Sequence, residues 1–117
     1  MTEARETLRF FHPERRRLVS VRADGGVFTR EIGAAWKRAK GAKAAPGTSV
    51  ETFLAQMRGR AASLPCWAQE VTELPTMAEV EHWLFDGIAL TTDGQEIEPD
   101  GTAGNGAPSW LVALGLI

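Results

Sequence analysis

No lysine or arginine follows Arg60. The stretch from Ala61 to Ile117 holds nine acids and no base to offset them. All 13 Lys and Arg sit in residues 1–60 beside six acids, so the two parts carry +7 and −9 and nearly cancel in a net charge of −2. Other absences exclude whole classes. Tyrosine is missing, so four Trp and five Phe supply the aromatic bulk. One cysteine, Cys66, cannot form an internal disulfide, which suits a reducing, cytoplasmic setting. No apolar run approaches the roughly 18 residues that a membrane helix needs. The N-terminus carries Glu3, Arg5, Glu6 and Arg9 and shows no apolar signal region. There is no P-loop, no G-x-G-x-x-G, no H-E-x-x-H and no G-x-S-x-G around Ser109. The expectation is a non-enzymatic protein with no cofactor and no membrane partner.

At 117 residues with 44% apolar and 24% charged content, the chain reads as one folded domain, 1–117, with a basic half (1–60) and an acidic half (61–117). Charge asymmetry of this kind has two readings. The halves pack together and neutralise each other, or each offers a binding face.

Residues 8–11 and 17–22 read as short strands, joined by a turn at His12-Pro13-Glu14-Arg15-Arg16. Asp24-Gly25 marks a hairpin turn into a third strand at Val27-Phe28-Thr29. Thr29 can cap a helix to about Lys40, with Ile32, Ala35, Trp36 and Ala39 as its apolar stripe, although Gly33 weakens it. A loop follows to Gly47. Thr48 and Glu51 form a capping box for a helix burying Val50, Phe53, Leu54, Met57 and Ala61. Ser63-Leu64-Pro65 ends it, and 66–71 is ambiguous between helix and extended chain. A second capping box, Thr76 to Glu79, opens a helix to about Phe85 with Met77, Val80, Trp83 and Leu84 on one face. Residues 88–92 and 96–98 suggest a small hairpin around Asp93-Gly94. Pro108 suits the first turn of a last helix. Gly115 and Leu116 fit a Schellman ending against Leu111.

The fold class expected is α+β: a small N-terminal antiparallel sheet, three main helices and a short C-terminal helix. Trp36, Phe53, Leu54, Met57, Val80, Trp83, Leu84, Trp110, Leu111 and Leu114 are the expected core.

Candidate chemistry is sparse. His12 and His82 have no Cys or His at metal-ligand spacing, and Cys66 reads as a buried small hydrophobe. Asp93, Glu96, Glu98 and Asp100 cluster, but not at EF-hand spacing. Candidate binding residues fall into an acidic set, Glu96, Glu98 and Asp100, and two basic sets. Arg15, Arg16 and Arg17 share a turn; Lys37, Arg38, Lys40 and Lys43 lie around the expected helix end. Phosphate binding requires such groups to gather on one face.

From Met77 onward the chain resembles a group of short, uncharacterised proteins of proteobacterial chromosomes and prophages. Their ends read D-G-C-x-(V/I)-E-P-D-G-(T/V)-C-x-H-G-H-P-S-W-L-x-x-L-G-L-I. The resemblance rests on Glu81, Trp83, Asp86 to Ile88, Asp93, Gly94, Ile97 to Thr102, Gly106, Pro108 to Leu111 and Leu114 to Ile117. It covers about a third of the chain and implies phage or mobile-element ancestry. Where the group has two Cys and two His, a credible zinc set, this chain has Gln95, Ala103, Asn105 and Ala107. The resemblance therefore implies a lost site and no zinc. The leading expectation is a phage or mobile-element protein that binds another macromolecule, a host or phage protein. In its sharper form it is an inhibitor of a host defence complex, such as an anti-CRISPR protein, with its acidic half on a basic groove. The alternative is a nucleic-acid-binding accessory protein using the basic half.

Overall fold

The computed structural model describes residues 4–39 and 46–117. Four strands form an antiparallel sheet in chain order: β1 (Glu6–His12), β2 (Arg17–Arg22), β3 (Val27–Arg30) and β4 (Lys37–Arg38). Thirteen-residue α1 (Val50–Ala62), five-residue α2 (Cys66–Glu70) and ten-residue α3 (Met77–Asp86) follow. A small hairpin, β5 (Ala89–Leu90) with β6 (Glu96–Ile97), and a single-turn α4 (Trp110–Ala113) complete the α+β fold. Among the described residues no helix is long and apolar enough to cross a membrane.

The first three strands form where period-two alternation meets turn chemistry. Arg16 takes a left-handed φ of 57° in the β1–β2 turn, and its N–H donates to the His12 carbonyl at 2.7 Å. The Asp24 carboxylate accepts the Gly26 N–H at 2.9 Å, the side-chain turn that favours Asp there.

The helix expected over 29–40 does not form. Phe28 and Thr29 pair instead with Arg38 and Lys37 across a fourth strand. Two physical reasons decide it. The outer edge of β3 has free N–H and C=O groups that a strand satisfies and a helix does not. Gly33 sits at φ +74°, outside any right-handed helix. Trp36 and Ile32 still pack, half-buried, against one core cluster, while Ala39 packs against the other. The loop expected at 41–47 lies mostly outside the described residues.

The sheet has a core on each side. Phe10, Val19, Val21 and Val27 pack with Phe53, Met57 and Ala61 of α1. Phe11 and Leu18, one residue out of phase, point the other way. They pack with Val71, Leu74, Val80, Trp83, Trp110, Leu111 and Leu114. The basic half thus supplies the sheet and α1, and the acidic half covers the opposite sheet face. These strand residues were missing from the expected core, since neither short strand looks apolar enough alone. Leu54 and Trp36 are only half-buried, and Val50, Met77 and Leu84 are exposed.

Caps fix the helix ends. Ser49, not Thr48, caps α1, its hydroxyl accepting the Thr52 N–H at 3.1 Å. Adjacent hydroxyl residues made the choice a one-residue ambiguity. Thr76 and Glu79 form the expected capping box on α3, an arrangement worth about 1 kcal/mol. Pro108 lies one residue before the cap of α4. Ser109 is that cap, accepting from Val112 and donating to the Pro99 carbonyl. Cys66 is exposed, because α2 turns Ala68 inward instead.

The tail closes as its sequence suggests. Gly115 adopts φ +68°, its N–H reaches Val112 O at 3.0 Å, and Leu116 N–H reaches Leu111 O at 2.9 Å. This is the Schellman pair of hydrogen bonds. A side chain at Gly115 would collide with the Arg16 guanidinium, so the β1–β2 turn and the tail touch.

Candidate functional site

The alternation that sends Phe11 and Leu18 inward leaves His12, Arg17, Thr29 and Lys37 on the sheet face shared with α1. That helix covers only part of the face. Beside it lies a groove of about 790 Å³. Its floor is Phe10, Val19, Val27, Met57, Ala39 and Leu64, and its walls carry His12, Arg15, Arg17, Lys37, Arg38 and Arg60. Among the described residues, no acidic one lines it. The two basic sets singled out in the sequence therefore converge in part. Arg15 and Arg17 come from the hairpin turn and the start of β2, and Lys37 from the edge strand, while Arg38 borders the groove but turns its guanidinium to the other sheet face, with Phe28.

Local contacts hold the turn in place. The Arg15 N–H donates to His12 Nδ1 at 3.2 Å, and Arg17 Nη2 pairs with Glu31 at 3.0 Å. The Arg38 guanidinium lies 5.5 Å from the Phe28 ring centre, a contact that orients a cation without neutralising it. Arg15, Lys37, Arg38 and Arg60 are exposed and have no ion-pair partner among the described residues.

Arg16 is not part of the groove. Its left-handed backbone turns it toward Gly115. Lys40 and Lys43 lie outside the described residues. Sequence reading missed His12 and Arg60. His12 looked like a turn residue, and Arg60, in the last turn of α1, was not singled out. Both reach the groove only through the packing of α1 on the sheet.

Neutralisation between the halves runs through one residue among those described. Glu73 pairs with Arg9 at 3.2 Å and Arg30 at 3.4 Å, both on the sheet face away from the groove. Arg9 also lies 5.0 Å from the Trp36 ring and pairs with Glu6 at 3.0 Å. Burial pushes the Glu6 carboxyl up, but the Ser20 hydroxyl and the Arg9 guanidinium outweigh it and hold the pKa below the ordinary value.

The acidic candidates do not converge. Glu96, Glu98 and Asp100 are exposed and line no cavity with one another. Asp93 is the organised member of that region. It accepts the Thr91 hydroxyl, the Gln95 amide at 2.9 Å and the Asn105 amide at 2.7 Å. The Ala107 N–H donates to Asn105 Oδ1 at 3.2 Å, and the Ala103 N–H to the Ala107 carbonyl at 2.8 Å. Gln95, Ala103, Asn105 and Ala107 thus stand in one hydrogen-bonded loop cluster with Asp93. Among the described residues, no three His, Cys, Asp or Glu gather as a metal site.

The Thr91 hydroxyl first, then the Gln95 and Asn105 amides, hold the Asp93 carboxyl down to about 2. A lowered carboxylate stabilises the fold fully above its unfolded pKa, about 3.9, and the contribution is lost as pH falls through about 2. An NMR titration of the Asp93 carboxyl carbon should give a midpoint near 2. Asn105→Ala, which removes one donor, should raise it; an unchanged midpoint would show that the Asn105 amide does not act on it.

A second cavity, about 300 Å³, lies on the acidic side among Glu70, Glu73, Pro75, Trp83, Leu90 and Trp110. Its Glu73 is already paired, and its Glu79 is engaged in the α3 cap. No family model, curated protein or solved structure matches the chain.

Proposed function

We infer that the protein is a non-enzymatic binding protein whose partner is a nucleic acid held by its phosphates in the basic groove. The carrying observation is the groove wall: Arg15, Arg17, Lys37 and Arg60, with His12, around a cavity that has no acid in its lining among the described residues. Cations gathered on one concave face are what counterion release requires. The acidic half does not oppose this locally, because it packs on the other side of the sheet. This geometry favours the groove over an acidic inhibitory surface at Glu96, Glu98 and Asp100, which frames no cavity.

Shape favours single-stranded nucleic acid as the partner. Reading a duplex major groove takes a protruding helix or β-ribbon, whereas these cations line a concavity. Strand-binding grooves commonly add exposed aromatic platforms. Here Phe10, the one Phe, Tyr or Trp among the described lining residues, is buried, so recognition runs through the backbone and tolerates sequence.

Fluorescence anisotropy with single-stranded and duplex oligonucleotides at low salt tests the reading. Three to five neutralised phosphates on a single strand give a slope of log K against log salt of about −2 to −3.5. Mixed sequences should bind alike, and the single strand more tightly than the duplex. No binding at about 50 mM salt, where screening is weak, would end the proposal.

A further inference from the structure

The C-terminal end of α3 leaves three large apolar side chains in water. Phe85 is 91% exposed, Ile88 55% and Leu84 50%. Val80 and Trp83 of the same helix are buried in the core, with Phe85 on the side away from them and Leu84 at the margin, so folding has already used the apolar stripe the helix needs. Large exposed apolar groups close together in the chain, as at Leu84, Phe85 and Ile88, mark interaction surfaces when they gather on one face. Glu81, one turn before Phe85, and Asp86, paired with His82 at 2.8 Å, rim the patch. No Lys or Arg lies anywhere in residues 61–117.

One surface of this chain has the complementary make-up. The groove has an apolar floor at Phe10, Val19, Val27 and Met57 and a basic rim. Apolar centre faces apolar floor, and acidic rim faces basic rim. A single molecule cannot make this contact with itself. The α3 patch belongs to the side of the sheet that Phe11 and Leu18 face, and the groove opens on the other.

We propose that the α3 patch docks into the basic groove of a second copy of this chain, giving head-to-tail self-association. Such a contact is heterologous. It propagates as an open chain of protomers unless its rotation closes a ring. The surface is small, so the contact is weak and reversible. Its charged rim makes it salt-sensitive. The proposal goes beyond nucleic-acid binding, although both use the groove.

Sedimentation velocity tests it with three proteins and one mixture. The wild type should gain at least about twofold in average mass between roughly 10 and 300 µM at low salt, and lose the gain near 500 mM salt. Phe85→Glu destroys the patch and keeps the groove. The double variant Lys37→Glu/Arg38→Glu destroys the groove rim and keeps the patch. Each should be monomeric alone. Mixed, they retain one good patch and one good groove between them, so the mixture should form a 1:1 dimer and stop there.

A wild type that stays monomeric overturns the proposal. So does a mixture that stays monomeric, or a groove variant that still dimerises by itself, which would mean patch against patch. Phe85→Glu should keep wild-type oligonucleotide affinity, so failure of self-association and failure of nucleic-acid binding are read separately.

Discussion

Reversing two charges on the edge strand should nearly abolish oligonucleotide binding. Lys37 and Arg38 are exposed and form a two-residue strand at the groove mouth. Each charge near a phosphate contributes about 1 kcal/mol at contact distance in water. Replacing both with Glu removes the attraction and adds repulsion of similar size, about 2–4 kcal/mol together, or roughly 30- to 1,000-fold in affinity. The salt slope should flatten in parallel, because fewer counterions are released. Arg58→Glu is the matched control. It lies on α1 two residues from Arg60, a spacing that points to a different side of a helix, and it does not line the groove. Its effect should stay within about threefold, the scale of a screened distant charge. Equal losses for the two positions would mean that net charge, not the groove, sets binding. Unchanged circular dichroism and thermal midpoint would show that the fold survives in both.

The second large effect is on stability. Phe11→Ala should cost about 3–5 kcal/mol, the range for deleting a fully buried phenyl group. Phe11 is fully buried and is a central contact between the two halves of the chain. Its ring lies 5.8 Å from Trp110, edge to face, and 5.9 Å from Trp67. Small domains hold only about 5–15 kcal/mol in total. The thermal midpoint should therefore fall by tens of degrees, at about 4–8 °C per kcal/mol for a chain of this size. Urea denaturation followed by tryptophan fluorescence measures the loss directly. Phe11→Leu keeps most of the volume and should recover more than half of it. A cost under about 1 kcal/mol for Phe11→Ala would mean that the contact with Trp67 and Trp110 does not couple the sheet to the tail.

What could be read from the residues was local. The hairpin at Asp24-Gly25, the capping box at Thr76 and the Schellman ending at Gly115 each rest on groups within five residues of one another. All three are in the structure. The stretch 29–40 misled because Ile32, Ala35, Trp36 and Ala39 satisfy a helical period by themselves, while the demand that overrode it came from the open edge of β3. Edge pairing is a tertiary demand and leaves no trace in a window of twelve residues. The α3 stripe failed at Leu84 for a related reason. The buried side of the helix is set by what lies above it, and Val80 and Trp83 alone meet the core. The groove was half legible. Its four named cations could be picked out by type, but their convergence, and the recruitment of His12 and Arg60, depend on where α1 crosses the sheet. The expectation that acidic Glu96, Glu98 and Asp100 form a site came from clustering along the chain, which on an exposed hairpin does not bring side chains to a common point.

The contact between Phe11 and Trp110 spans 99 positions, and this bears on the order in which the molecule assembles. The antiparallel strands pair with near neighbours, and α1 reaches them across a short span, so that part of the protein closes small loops. Docking α4 against Phe11 closes nearly the entire chain and carries the largest entropic penalty for its first contact. The sheet with α1 is therefore the early-forming unit, and the acidic half condenses onto it afterwards. Every residue lining the groove lies between Phe10 and Leu64. The basic groove takes shape before the tail arrives, and the tail's role is to make that shape last.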